Sequence, residues 1–192
     1  MTGFYLLFGP PAAGKGTQAQ SFSQHLGVPH VSTGDMFRAH LKGATAIGKE
    51  VEAILASGNL VPDSITNRMV AGRLAEPDAT GGVLLDGFPR NVPQSAWLDG
   101  YLAAKGTTLA GVVVLEVADE ELKRRLAGRA QAQGRSDDAD PAVIQLRIDT
   151  YRQQSEPCLA YYEETGVTPV HRIDGMGSVD EVAARIRAVV PR

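Results

Sequence analysis

The sequence predicts an α/β fold on a parallel sheet. Short apolar runs rich in β-branched residues alternate with stretches of helical spacing, and the first run feeds a Gly/Pro/Ala loop that opens into a helix. The strands expected are Phe4–Phe8, His30–Ser32, Val83–Asp86, Val112–Val117 and Val170–Ile173. Between them the spacing predicts helices over Thr17–Leu26, stopped by Gly27, and over Pro93–Ala104 and Asp119–Ala130. A last one is expected over Val179–Val190 behind Ser178 as N-cap. Strands that alternate with helices pair in parallel and are covered on both faces.

Two segments break the alternation. Gly34 to about Pro62 has helical spacing between two core strands and reads as an inserted helical lobe. Ala130 to Asp140, "AQAQGRSDDAD", has no apolar face and reads as a loop or lid. From Pro141, a residue suited to a first helical turn, a long helix carries Ile144, Ile148, Tyr151, Leu159 and Tyr162. Pro157 should kink or interrupt it.

A chain of 192 residues suits one domain with a substantial core. Nineteen basic against 22 acidic residues, net −3 and without a basic tract, argue against nonspecific nucleic-acid or anionic-membrane binding. The one cysteine, Cys158, cannot form an intrachain disulfide and is expected as a small buried hydrophobe. No Cys/His spacing suggests zinc. Met1-Thr2-Gly3 runs into the first strand without a charged leader, and no apolar run approaches the roughly 20 residues of a membrane span. The expectation is a cytoplasmic protein. The residues His25, His30, His40 and His171 form no spaced cluster and are assigned no chemistry.

Two motifs carry chemistry. Gly9-Pro10-Pro11-Ala12-Ala13-Gly14-Lys15-Gly16-Thr17 has the Gly-x4-Gly-Lys spacing of a phosphate-binding loop between strand and helix. Successive backbone N–H groups make an anion nest there, and Lys15 adds a point charge. Gly16 stands where the general motif has Ser or Thr, so the loop offers no hydroxyl to a metal. The second motif is "VLLDGFPRNVPQ", Val83 to Gln94. Asp86 ends a strand, where ligands gather in open α/β sheets. Gly87 allows close approach, Pro89 stiffens the turn, and Arg90 can fork onto phosphate oxygens. Taken alone, Asp-Gly before Phe-Pro is equally compatible with plain turn chemistry.

The form Gly-x-Pro-x-x-Gly-Lys-Gly-Thr-Gln resembles the nucleoside monophosphate kinases, and specifically the adenylate kinase family. The likeness continues through "STGDMFR" (32–38), "GNLVPD" (58–63), Asp-Gly-Phe-Pro-Arg, "RRLAGR" (124–129), "GRSDD" (134–138) and "LRIDTY" (146–151), in order along the chain. It implies a P-loop NTPase-like three-layer fold with a five-stranded parallel sheet, as one kinase domain over 1–192. An AMP-binding lobe is implied at about 32–61, and a short lid at about 128–140 that holds no zinc. ATP, AMP and ADP are the implied partners, with Mg²⁺ entering on ATP and the enzyme working as a monomer.

Carried over by position, the resemblance puts the ATP phosphates on Pro11, Ala12, Ala13, Gly14, Lys15, Gly16 and Thr17. Arg129 reaches them from the lid base, with Arg125 and Gly177 near the ATP base. Thr33 and Gln94 contact the adenine of AMP, Arg38 and Arg90 hold its phosphate, and Asn59, Leu60 and Val61 line its pocket with Gly87, Phe88 and Pro89. Arg135 and Arg147 bridge AMP and the migrating phosphoryl group. Lys15, Arg90, Arg129, Arg135 and Arg147 form the implied catalytic set. With Gly16 unable to ligate, Asp86 would hold Mg²⁺ through water.

Read without the family, arginines on helices are as readily solvated or paired with acids such as Glu121. Arg124 and Arg152 are read as ordinary surface residues, Trp97 as packing. A pyrimidine nucleotide kinase, a non-catalytic nucleotide sensor and a small-metabolite P-loop kinase compete with the adenylate reading, and Thr33 with Gln94 favours adenine. The sequence departs from the family at Ala12, where glycine is usual. If that position needs positive φ, alanine costs about 1–2 kcal/mol.

Overall fold

The computed structural model describes residues 3–57, 59–133 and 140–190, with 129–133 and 141 described by their backbone alone. Arg135 and the rest of 134–139 in the expected lid lie outside the described residues, as does the side chain of Arg129.

Five strands, β1 (Phe4–Phe8), β2 (His30–Ser32), β3 (Leu84–Asp86), β4 (Leu109–Glu116) and β5 (Val170–Asp174), pair in parallel in the order β2-β3-β1-β4-β5. The fold is the expected α/β class. Helices α1 (Lys15–Leu26), α2 (Thr33–Lys42), α3 (Ala46–Ala56), α4 (Asp63–Leu74) and α5 (Val92–Ala103) occupy the first half with the strands. The second half carries α6 (Asp119–Gln133), α7 (Pro141–Thr150), α8 (Pro157–Thr165) and α9 (Val179–Val189).

Period-two alternation along each strand splits the core into two layers. Leu6, Leu85, Val112 and Val114 pack with Val70 and Leu74 of α4, Leu98 and Leu102 of α5, and Cys158, Leu159 and Tyr162 of α8. Tyr5, Leu7, Leu84, Val113 and Leu115 face the other way, onto Phe22 of α1, Leu122 of α6 and Val182 and Ile186 of α9. With both faces buried, each such side chain contributes about 1.5–3 kcal/mol. A third, smaller cluster joins Phe37, Val51, Val61, Ile65 and Met69 under α2, α3 and α4. This is where the sequence suggests an inserted helical segment. The close α2–α3 contact depends on Gly48, where a Cβ would lie 2.2 Å from the His40 carbonyl oxygen.

Some boundaries differ from expectation. The first helix begins at Lys15, two residues early, because the loop winds directly into its first turn. Helix α6 continues to Gln133, so Ala130–Gln133 extend a helix and are not loop. Pro157 acts as anticipated: the chain widens into a π turn over Tyr151–Ser155 before α8 starts at the proline. Glu156 N–H donates to the Tyr151 carbonyl at 2.8 Å, a bond that spans five residues. A proline ring crowds the carbonyl four residues back and lacks an N–H, and the wider turn relieves both.

Candidate active site

The carboxyl ends of β1, β2 and β3 open onto a cleft of about 890 Å³, lined by the loop after β1, α2, the turn after β3, α6, α7 and the loop after β5. A crevice at this end of the strands is the usual ligand site of an open α/β sheet.

The loop from Gly9 to Gly14 forms one wall. Gly9 has φ 149°, and a Cβ there would lie 3.0 Å from the Leu115 carbonyl oxygen, so the loop must cross β4 without a side chain. Ala13 buries its methyl in the sheet core and closes a turn by donating its N–H to the Pro10 carbonyl at 3.1 Å. Gly14, at φ 99°, caps α1 without a side chain, which leaves the N–H groups of the first turn directed at the cleft. Lys15 Nζ donates to the carbonyls of Gly9 and Pro10 at 2.6 and 2.9 Å. Ala12 adopts φ 62°, the left-handed conformation its position was suspected to demand.

The turn after β3 forms the floor. Asp86 is buried, and its Oδ2 lies 3.5 Å from His30 Nε2 on the neighbouring strand. Burial pushes the Asp86 carboxyl up, but the His30 contact and the charges of Lys15 and Arg90 outweigh it and hold it below the ordinary carboxylate range. Gly87 has φ 78°, and a Cβ there would meet Thr33 Oγ1 at 2.8 Å. The Gly87 carbonyl accepts from both Thr33 Oγ1 and Arg90 Nε at 2.8 Å. The Phe88–Pro89 peptide is cis. Burial lowers the Arg90 guanidinium pKa, Asp86 raises it, and the positive charges of Arg147 and Arg38 lower it again. Three guanidinium groups therefore share one region beside Lys15, a concentration of donors that suits a polyanion.

Beyond Arg90 the space narrows into a slot lined by Thr33, Asn59, Leu60, Val61, Gly87, Arg90 and Gln94. Thr33 and Gln94 are each only 2% exposed. Gln94 Oε1 accepts from the Arg90 N–H at 2.8 Å, and its Nε2 donates to Asp63 Oδ1 at 2.7 Å.

At the opposite end of the cleft, Arg125 is tied in three directions. It donates to Glu121 Oε1 at 2.7 Å, to the Ala13 carbonyl at 3.3 Å and to the Gly175 carbonyl at 3.2 Å. Hydrogen bonds from Arg124 and Arg125 hold the Glu121 carboxyl down at about 2. In the same loop Gly177 has φ 104°, and the Ser178–Glu181 capping box opens α9 behind it.

Every site residue named from the sequence whose side chain is described thus lies on the cleft or the slot. Arg124 and Arg125 both pair with Glu121, yet Arg124, read from sequence as an ordinary surface residue, also lines the cleft; Arg152 pairs with Asp119 on the surface. Trp97 packs edge-on against Phe88 and stacks on Tyr101. His30, given no role from sequence, sits beside Asp86 because β2 pairs with β3. Asp63 and Ser155, whose Oγ donates to the Arg90 carbonyl at 3.0 Å, were also missed. Asp63 closes the "GNLVPD" stretch but was given no role there, Ser155 belongs to no quoted motif, and the fold brings them to Gln94 and Arg90.

Among the described residues no group of three or more His, Cys, Asp or Glu side chains gathers as a metal cage. Asp35 and Glu121 also line the cleft, but each is engaged by arginine. Asp86 beside Lys15 remains as a lone carboxylate. That donor set suits Mg²⁺ held chiefly by phosphate oxygens and water. No helix among the described residues is long and apolar enough to cross a membrane.

The family model described as Adenylate kinase matches residues 7–167. The chain is 50% identical over 187 residues to an adenylate kinase of Kocuria rhizophila, covering 97% of this chain and 98% of that protein. It is 49% identical to an adenylate kinase of Thermobifida fusca, with 94% of each chain covered. A third, from Stenotrophomonas maltophilia, is 45% identical over 96% of this chain and 97% of its own.

Proposed function

The chain belongs to the adenylate kinase family, and from that membership we propose how its residues carry out ATP + AMP ⇌ 2 ADP. The observation that carries the assignment is the cluster of Arg38, Arg90 and Arg147 beside Lys15, between a backbone anion nest and the slot that holds Thr33 and Gln94. Two polyanions must be held in line, and the charges that do so must come from the protein.

ATP enters over the loop, its phosphates received by the N–H groups of Pro11-flanked Ala12 and Ala13 and of Gly14 to Thr17. Lys15 exchanges its two loop carbonyls for phosphate oxygens, at little reorganisation cost because its ammonium already stands there. Arg125 and the Gly177 loop receive the ATP base. Arg38 and Arg90 hold the AMP phosphate, Arg147 bridges it to the migrating group, and the slot takes the base. Arg129 and Arg135 are assigned to the donor phosphates and the transferring group by family likeness.

The nucleophile is an AMP phosphate oxygen that is already anionic, so no side chain has to remove a proton. Catalysis is positioning, charge neutralisation and exclusion of water. Mg²⁺ arriving with ATP would supply further neutralisation of the phosphates, with Asp86 ordering its waters. Segments 32–61 and 128–140 act as the AMP lobe and the lid, closing to keep water from the phosphoryl group. A cytoplasmic monomer is sufficient for this account, since every named group comes from one chain.

The test is to mix the full chain with ATP–Mg²⁺ and AMP and follow the phosphorus resonances. Two ADP should appear for each ATP consumed. Binding of both nucleotides without ADP formation would make the protein a sensor and overturn the reading.

A further inference from the structure

The Gln94 amide is held at both ends by groups of fixed polarity. The Arg90 N–H can only donate, and it faces Oε1 at 2.8 Å. Asp63 Oδ1 accepts from Nε2 at 2.7 Å and also from Asn91 Nδ2 at 3.0 Å. Asn91 in turn accepts the Gln94 N–H at 2.8 Å as the cap of α5. Were the amide turned over, oxygen would face the Asp63 oxygen and NH₂ would face an N–H. An amide offers two N–H donors and two lone pairs, so one of each remains. Gln94 lines the slot, where that remaining pair can meet a base.

A 6-aminopurine shows a donor at N6 beside an acceptor at N1, which complements an amide; a 6-oxopurine shows the reverse. We propose that Asp63 is a specificity-positioning residue, holding the Gln94 amide in the orientation that accepts a 6-aminopurine and rejects a 6-oxopurine. Thr33 works in the same direction, because its hydroxyl proton is committed to the Gly87 carbonyl and its lone pairs remain. The inference rests on the slot being the acceptor-base site. Asp63 itself does not line that slot and acts through Gln94.

Steady-state kinetics with ATP–Mg²⁺ and either AMP or IMP tests it, because the two acceptors differ only on that edge. Asp63→Ala should lower the AMP-to-IMP ratio of kcat/KM by at least about tenfold. The KM for ATP should not move. Asp63→Asn, which keeps an acceptor oxygen, should retain most of the ratio. Asp63→Leu keeps the volume without the acceptor, and it replaces the alanine variant if that does not fold. A parallel fall with both acceptors at an unchanged ratio, or a rise in the KM for ATP, would reduce Asp63 to a structural residue. Gln94→Ala separates the two levels. If it lowers the ratio and the Asp63 variants do not, the inference fails alone; if neither lowers it, the slot has been misread.

Discussion

The two halves of the cleft are built from different materials. The wall proposed for the donor is made of backbone: Gly9 and Gly14 at positive φ, the first turn of α1, and a lysine resting on two carbonyls. The wall proposed for the acceptor is made of side chains from separate elements: Arg38 on α2, Arg90 and Gln94 around the start of α5, Arg147 on α7, with Asp63 behind them on α4. A backbone site depends on where side chains are absent. A side-chain site depends on which atoms each neighbour fixes, so mutations should fail differently on the two sides.

The largest effect is expected at the junction of the two. Arg90→Ala should lower kcat by about a hundred- to a thousandfold, the scale of losing one preorganised charge donor. Arg90→Lys should restore little of it, since an ammonium cannot form the fork that reaches both the Gly87 carbonyl and a phosphate. Rapid-quench kinetics that showed an unchanged phosphoryl-transfer step would remove Arg90 from the chemistry.

Asp86→Ala comes next. The expected change is a loss of about ten- to a hundredfold in Mg²⁺-dependent activity, together with a higher Mg²⁺ midpoint. Because the folded pKa of Asp86 lies below its unfolded value, its contribution is complete above about pH 4 and is lost only as pH falls through the lowered value. The pH–rate profile should therefore be free of an Asp86-dependent limb between pH 5 and 7. An acid limb in that window that vanished with the variant would contradict the electrostatic picture.

On the donor wall the sensitive positions are glycines. Gly9→Ala puts a Cβ at 3.0 Å from the Leu115 carbonyl, in a backbone conformation that costs alanine roughly 1–3 kcal/mol. It should raise the KM for ATP and leave that for AMP nearly unchanged; equal effects on both would mean that the walls are not separable. The smallest effect is the reverse change. Ala12→Gly relieves a left-handed alanine worth about 1 kcal/mol and should raise Tm by about 2–4 °C. Activity should stay within about twofold, on the same energy scale. A large gain would mean that the alanine distorts the nest.

The same contrast explains what could be read from sequence. The donor wall is contiguous, so its spacing and its glycines are visible in one nine-residue stretch, while the left-handed conformation of Ala12 is raised only as a condition by the family's usual glycine. The sheet is legible for a related reason: its central strands, buried on both faces, are apolar almost throughout, whichever order they take. The acceptor wall draws on residues far apart in the chain. Arg38, Arg90 and Arg147 look like any surface arginine until a family pattern aligns them. Asp63 and His30 escaped because their partners, Gln94 and Asp86, come from other elements and sequence spacing carries no sign of the contact. The break before Pro157 was foreseeable from the proline, but not that it would take the form of a π turn with Ser155 bonded to the Arg90 carbonyl.

The central claim is that a backbone nest for one nucleotide faces a side-chain site selective for the adenine of another. Its most direct test is an acceptor panel of AMP, CMP, UMP and GMP with ATP–Mg²⁺, followed by coupled detection of ADP. AMP should dominate, with the pyrimidine nucleotides and GMP lower in kcat/KM by about a hundredfold or more. Comparable turnover of CMP or UMP would contradict the assignment of Thr33 and Gln94 as adenine readers and point to a pyrimidine nucleotide kinase.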